Sequence, residues 1–175
     1  MTSLPLHPAL VHLPLALAFV IPVLAIGLAW ALWKERIPPV AWVAIVALQA
    51  VLLAAGLVAM NTGEREEDRV ERIVPHAAIK QHEEFAEQFV WATGVTLVLA
   101  GFVLAPVKRA MVRAFTVAAV VGSVIVAAAA VRVGHAGGTL VYAHNAGGAY
   151  AAAGRQTPGD TATRSTEGRR HNNDR

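Results

Sequence analysis

Four long apolar runs constrain this chain more than any other feature. Leu10 to Trp33 is broken only by His12, Pro14 and Pro22, and Val40 to Met60 has Gln49 as its one strongly polar residue. Phe89 to Ala105 extends back to Phe85 if Glu87 and Gln88 sit at the interface. Val112 to Val133 carries Arg113 at one end and Arg132 at the other. About 18 or more apolar residues in succession read as a transmembrane helix, and such runs match a hydrocarbon core of about 30 Å. A bilayer cannot hydrogen-bond an open backbone, so the spans are expected as helices. Barrel strands would alternate in polarity, and these runs do not.

Composition agrees. Hydrophobic residues make up 55% and charged residues 15%, against about 25% charged in an average soluble domain. The absence of cysteine excludes a disulfide scaffold, thiolate metal sites, a C-x-x-C-H haem attachment and a cysteine nucleophile. The first run has no Lys or Arg before it and is too long for a signal-peptide core, so it is expected to be a retained span. Pro38 and Pro39 mark a tight turn, Pro106 ends span three, and Gly63 is expected to close span two. Trp30, Trp33 and Trp42 are expected in an aromatic belt at one surface, with Trp91 near the other.

Charge sets the orientation. The two short loops carry Lys34, Arg36, Lys108, Arg109 and Arg113 against Glu35 alone. The stretch from Asn61 to Gln88 carries four basic and eight acidic residues. The positive-inside rule puts the short loops in the cytoplasm, and both termini and the long loop outside. The stretch Arg155 to Arg175, with five basic residues, opposes that assignment. Its Gly, Thr, Arg and Asn content reads as a disordered, solvated tail. No aromatic residue accompanies its basic residues, so no stacking surface for nucleic acid is expected.

The histidines carry the functional signal. Seven are present, and six lie close to span ends. His7 and His12 open span one, His76 and His82 precede span three, and His135 and His144 follow span four. With antiparallel spans, all six fall on one membrane face, whichever side that is. His12, His82 and His135 adjoin the ends of the apolar runs, and His7, His76 and His144 lie one step further out. His171 sits in the tail and is read as solvated. Imidazole is the commonest transition-metal ligand and an axial haem ligand. Pairs five, six and nine residues apart do not share a helical face, so ligands would converge from different segments. His82-Glu83-Glu84-Phe85-Ala86 lacks the second His of H-E-x-x-H, which excludes a zinc protease of that type.

Other polar residues have bounded roles. The glycines of Gly134-His135-Ala136-Gly137-Gly138 allow either a re-entry turn after span four or a cofactor cradle. Arg132 is expected either to bind a haem propionate or to pair with Glu83, Glu84 or Glu87. Val70, Ile73, Val74 and Ala77 follow helical spacing and read as a short amphipathic helix between spans two and three, ended or kinked by Pro75. Gln49 is expected to hydrogen-bond between helices.

With these residues in place, the chain resembles a bacterial membrane-protein family known as domain of unknown function 2231. The matching pieces are Leu6-His7-Pro8-Ala9-Leu10-Val11-His12-Leu13-Pro14, His82-Glu83, and Gly134-His135 through His144, within about residues 4 to 150. Leu13 stands where such families usually show Phe, and Asn145 where Gly often follows the last His. The resemblance implies an integral protein of the bacterial inner membrane. Relatives fused to cytochrome c-like modules imply electron transfer.

The expected architecture is an all-α membrane protein. A four-helix transmembrane bundle (residues 1–154, spans about 10–33, 40–60, 85–105 and 112–133) precedes a disordered polar tail (155–175). The leading functional expectation is a non-enzymatic b-type haem protein passing electrons at the periplasmic face to a periplasmic or membrane redox partner. Its first candidate ligands are His12, His82 and His135, with His7, His76 and His144 next and Arg132 beside them. The runner-up is a copper or zinc site on His12, His82 and His135. The third is a cofactor-free accessory subunit of a membrane complex.

Overall fold

The computed structural model describes residues 6–148, and the tail from 155 to 175 lies outside them. Its elements are α1 (Leu6–Leu10), α2 (His12–Trp33), a 3-10 turn (Pro39–Trp42), α3 (Val43–Val70), α4 (His76–Phe102) and α5 (Arg109–Tyr142). No strand occurs among the described residues. Four helical stretches are long and apolar enough to cross a membrane: His7–Trp33, Pro39–Asp68, His76–Phe102 and Arg109–Tyr142.

Helical hydrogen bonds run through the break between α1 and α2, from Val11 N to His7 O and from Leu15 N to Val11 O. The two therefore act as one span with a short N-terminal hook. α2 ends where Glu35 takes a left-handed conformation and Arg36 N donates to Ala31 O at 3.0 Å. This closes the orphan carbonyls as glycine usually would. Pro38 and Pro39 then carry the tight connection into the 3-10 turn.

α2 packs on α3 and α5, and α4 packs on α3 and α5, so the four long helices close a ring in chain order. Each buries one stripe at helical spacing: Pro14, Ala18, Ile21, Ala25 and Ala29 on α2, and Ile45, Gln49, Leu52 and Ala59 on α3. The α4 stripe includes Phe89, Thr93, Thr96 and Ala100. The α5 stripe includes Thr116, Ala119, Ser123, Val126, Ala130 and Ala136. Small residues predominate because, within lipid, association rests on close packing rather than on exclusion of water. The outer surface stays apolar, with Trp91 75% and Val23 69% exposed. This is the pattern that hydrocarbon requires.

Several expectations are corrected here. Gly63 does not end span two, because α3 continues unbroken to Val70. No separate amphipathic helix lies between spans two and three. The connection is a turn at 71–75, and α4 begins at His76. Of the four residues read as a membrane-lying stripe, Val74 is buried with Ile79 and Ala146 and Val70 packs against them, while Ile73 and Ala77 are exposed. That satellite core rewards extension of both helices beyond the apolar runs, as tertiary packing does for segments of middling helix propensity. Gly134 to Gly138 form no re-entry turn, because α5 runs through them to Tyr142. Trp42 is no belt residue. It is fully buried, and its indole Nε1 donates to the Ala100 carbonyl at 3.1 Å.

Candidate functional site

All three helical extensions project from one end of the bundle, the end at which the described chain starts and stops. They form a collar: His76 and His82 lie on α4, His135 on α5 and His144 just beyond it, and the α1 hook and the start of α2 bring His7 and His12 to the same end.

Within it the structure brings His7 and His82 together. Their ring centroids are 6.3 Å apart and their planes cross at 88°. His7 comes from the α1 hook and packs on α3. Its Nδ1 lies 2.8 Å from the Ala59 carbonyl oxygen and 3.5 Å from Thr62 Oγ1. Thr62 itself donates to the same carbonyl at 2.9 Å. A carbonyl only accepts, so His7 Nδ1 carries the proton, and in the neutral ring Nε2 keeps its lone pair. The His7 backbone N–H reaches Glu66 Oε1 at 3.5 Å, which ties the hook to α3 a second time.

His82 lies on the inner face of α4, and its Nδ1 is buried with no hydrogen-bond partner among the described residues. Buried polar atoms are nearly always partnered, so this nitrogen calls for a partner beyond the described residues, a water or a ligand.

Two glycines seat these rings. A Cβ on Gly63 would stand 3.2 Å from His7 Cε1 and 3.3 Å from its Nδ1. A Cβ on Gly137 would stand 3.2 Å from His82 Cε1. Each imidazole therefore rests edge-on against a helix surface that no other residue type leaves flat. Neither glycine stood among the candidate ligands, nor did Ala59, Thr62 or Glu66. A signal was available. Extending the α3 stripe Gln49, Leu52, Ala59 by four gives Gly63, and extending Val126 and Ala130 on α5 by seven gives Gly137.

The other sequence candidates stand apart. His12 is exposed, two residues from buried Pro14 and so on the opposite side of α2, with its Nδ1 3.4 Å from the Ala9 carbonyl. His135 is exposed on α5. His144 is half-buried beyond the end of α5, where its backbone N–H donates to Thr139 O at 3.3 Å. His76 is exposed, with Nε2 3.9 Å from Glu71 Oε1. Glu67, Glu71 and His76 each offer a ligand atom within 4.8 Å of the others, on the rim of the collar. No ion pair joins Arg132 to Glu83, Glu84 or Glu87 among the described residues. Its guanidinium carbon lies 4.5 Å over the Phe85 ring, a cation–π contact with the neighbouring helix.

A protein family described as Predicted membrane protein (DUF2231) matches residues 3–149. No curated protein and no solved structure matches the chain.

Proposed function

The chain belongs to the DUF2231 family of predicted membrane proteins, and from that premise we propose that it binds a transition metal between His7 and His82. The metal is copper or zinc, held directly by imidazole at the collar end of the bundle for metal handling. The positive-inside pattern of the short loops puts that end outside the cytoplasm.

One observation carries this reading: two imidazoles with unengaged nitrogens meet in a partly buried setting, and one of them is already oriented. Metal-bound histidines characteristically donate their second ring N–H to a carboxylate or a backbone carbonyl. His7 does so with Ala59. Two imidazoles on opposite sides of one metal, with bonds of about 2.0–2.1 Å, hold their centroids roughly 6 Å apart. The 6.3 Å between the two rings is compatible with that linear arrangement, which suits two-coordinate copper, while tetrahedral zinc would draw the rings closer. A site of neutral nitrogens without thiolate suits copper and zinc. The glycine seats fix both rings close to helix surfaces, which favours a small ion.

The same separation supports a second reading, in which the pair are axial ligands of a b-type haem in an electron-transfer protein.

The deciding experiment is metal analysis of detergent-purified protein, with an absorption spectrum before and after dithionite. Stoichiometric copper or zinc, lost in His7→Ala and in His82→Ala, is the expected result. A Soret band with an α-band that sharpens on reduction would transfer the site to haem. Protein with neither metal nor haem, after expression with both supplied, would overturn the proposal in favour of a cofactor-free subunit.

A further inference from the structure

A second polar feature lies deeper in the bundle, away from the histidines. Gln49 is 1% exposed, and both its Nε2 and Oε1 lack a hydrogen-bond partner among the described residues. It does not make the interhelical hydrogen bond that its mid-span position predicts.

Its neighbours in depth follow from the two apolar clusters that bracket it. One contains Ala25, Ile45, Ala100 and Ala119, and the other Ile21, Leu52, Phe89 and Val126. Between those levels lie Gln49 on α3, Thr93 and Thr96 on α4, and Ser123 on α5, all buried. Buried Pro22 of α2 lies between them too. Pro22 has no N–H, so the Ala18 carbonyl one turn earlier loses its helical donor. Thr96 Oγ1 faces α5, 2.6 Å from where a Gly122 Cβ would stand.

The hydroxyl protons of this layer are already spent. Thr93 Oγ1 donates to Phe89 O at 2.7 Å, Thr96 Oγ1 to Ala92 O at 2.7 Å, and Ser123 Oγ to Val120 O at 2.7 Å. What remains is a set of acceptors: the Gln49 carbonyl, three hydroxyl oxygens and the Ala18 carbonyl. The only unspent side-chain donor is the Gln49 amide itself, which cannot satisfy its own oxygen. A hydroxyl could serve Gln49 only by giving up the carbonyl of its own helix, so a small molecule that is not protein is the simplest donor.

We propose that this layer is a closed water site, in which Gln49 binds one or more buried waters between α3, α4 and α5. Water supplies two donors and accepts from the Gln49 amide, and buried waters typically satisfy such orphaned groups. A cation would suit the oxygens, but an uncompensated charge at mid-membrane is far costlier than a neutral molecule. The site is not a conduit. Leu52 and Phe89 close it toward the histidine collar, and Trp42, Ile45 and Ala100 close it toward the short loops.

The test is water-to-amide magnetisation transfer, by NMR, on the full-length protein in nanodiscs with glutamine side chains labelled with nitrogen-15. Gln81 and Gln88 are exposed and serve as internal controls. The Gln49 side-chain amide is expected to show a cross-peak to water with the sign of a long-lived bound molecule. Thr93→Val combined with Ser123→Ala should abolish it and leave the Gln81 and Gln88 signals unchanged. A wild-type spectrum in which Gln81 and Gln88 exchange with water and Gln49 does not would overturn the proposal, whether or not the double variant folds. A Gln49 peak that the folded double variant retains would also overturn it.

Discussion

The imidazole of His82 rests on the bare backbone of Gly137, with its Cε1 3.2 Å from the position a Cβ would occupy. His7 rests on Gly63 at the same distance. The two seats lie on α3 and α5, while the rings come from the α1 hook and from α4. All four spans thus contribute to one small site.

The seats separate function from stability. A methyl at Gly63 or Gly137 would push its imidazole by a few tenths of an ångström. Groups that orient a metal ligand typically matter by about 10-fold or more in affinity. Yet Gly→Ala inside a helix otherwise stabilises by roughly 0.5–1 kcal/mol. Gly63→Ala and Gly137→Ala should therefore weaken copper or zinc binding about 10-fold, in titrations of the purified protein, with the melting temperature unchanged or higher. Gly134→Ala, where the Cβ meets open space, should leave binding intact.

The rim cluster should not hold the tightly bound metal. Glu71 and His76 side chains are 43% and 72% exposed, and exposed ion pairs contribute little. Glu67→Gln with Glu71→Gln should leave the copper or zinc stoichiometry of the purified protein unchanged. Loss of the metal in that variant, with retention in His82→Ala, would move the centre to the rim.

Among the described glycines, Gly122 makes the closest approach to a neighbouring helix. Its missing Cβ leaves room for Thr96, whose Oγ1 would stand 2.6 Å from an alanine methyl. Thr96 is 3% exposed and bonded to its own helix, so relief requires α4 and α5 to move apart. Gly122→Ala should cost about 1–3 kcal/mol, as overpacked cores do. Denaturant unfolding in mixed micelles would measure it, and an unchanged midpoint would show that the helices yield freely.

Trp42 anchors the opposite end. Its buried ring fills the space among Ala25, Ala29, Ala100 and Ala119, and its N–H reaches the Ala100 carbonyl. Trp42→Phe removes the donor while keeping most of the ring. The expected loss is about 1 kcal/mol for the hydrogen bond plus a smaller packing term, read from the same unfolding curves. Ala100 O also accepts from Val103 N at 3.3 Å, so it does not become an orphan.

Orientation is open to direct labelling because the chain has no cysteine. A single cysteine at Lys34 should react with an impermeant maleimide only after the cells are opened. One at Tyr142, 91% exposed beside His144, should react in intact spheroplasts. The reverse pattern would put the histidine collar in the cytoplasm.

The sequence by itself determined the four spans, their antiparallel order and the gathering of six histidines at one end. Those follow from the length and polarity of the runs, which a bilayer reads almost without regard to packing. It even held the phase of the site: His7 and Pro14 on the first span, and His82 and Phe89 on the third, each seven residues apart, share a face. What the sequence left undecided was whether the helices continue beyond the membrane. Asn61 to Val70 and Gly134 to Tyr142 are polar or glycine-rich, with no strong propensity either way. Only their packing against α1, α4 and the turn around Ala146 keeps them helical. Once they continue, Gly63 and Gly137 fall on the buried stripes, and His7 and His82 turn inward. His12 and His135, which adjoin the apolar runs as closely as His82 does, are left facing outward. Depth along the chain is a property of sequence, but the direction in which a side chain points is fixed by the register of the helix that carries it and by the neighbour that packs on it.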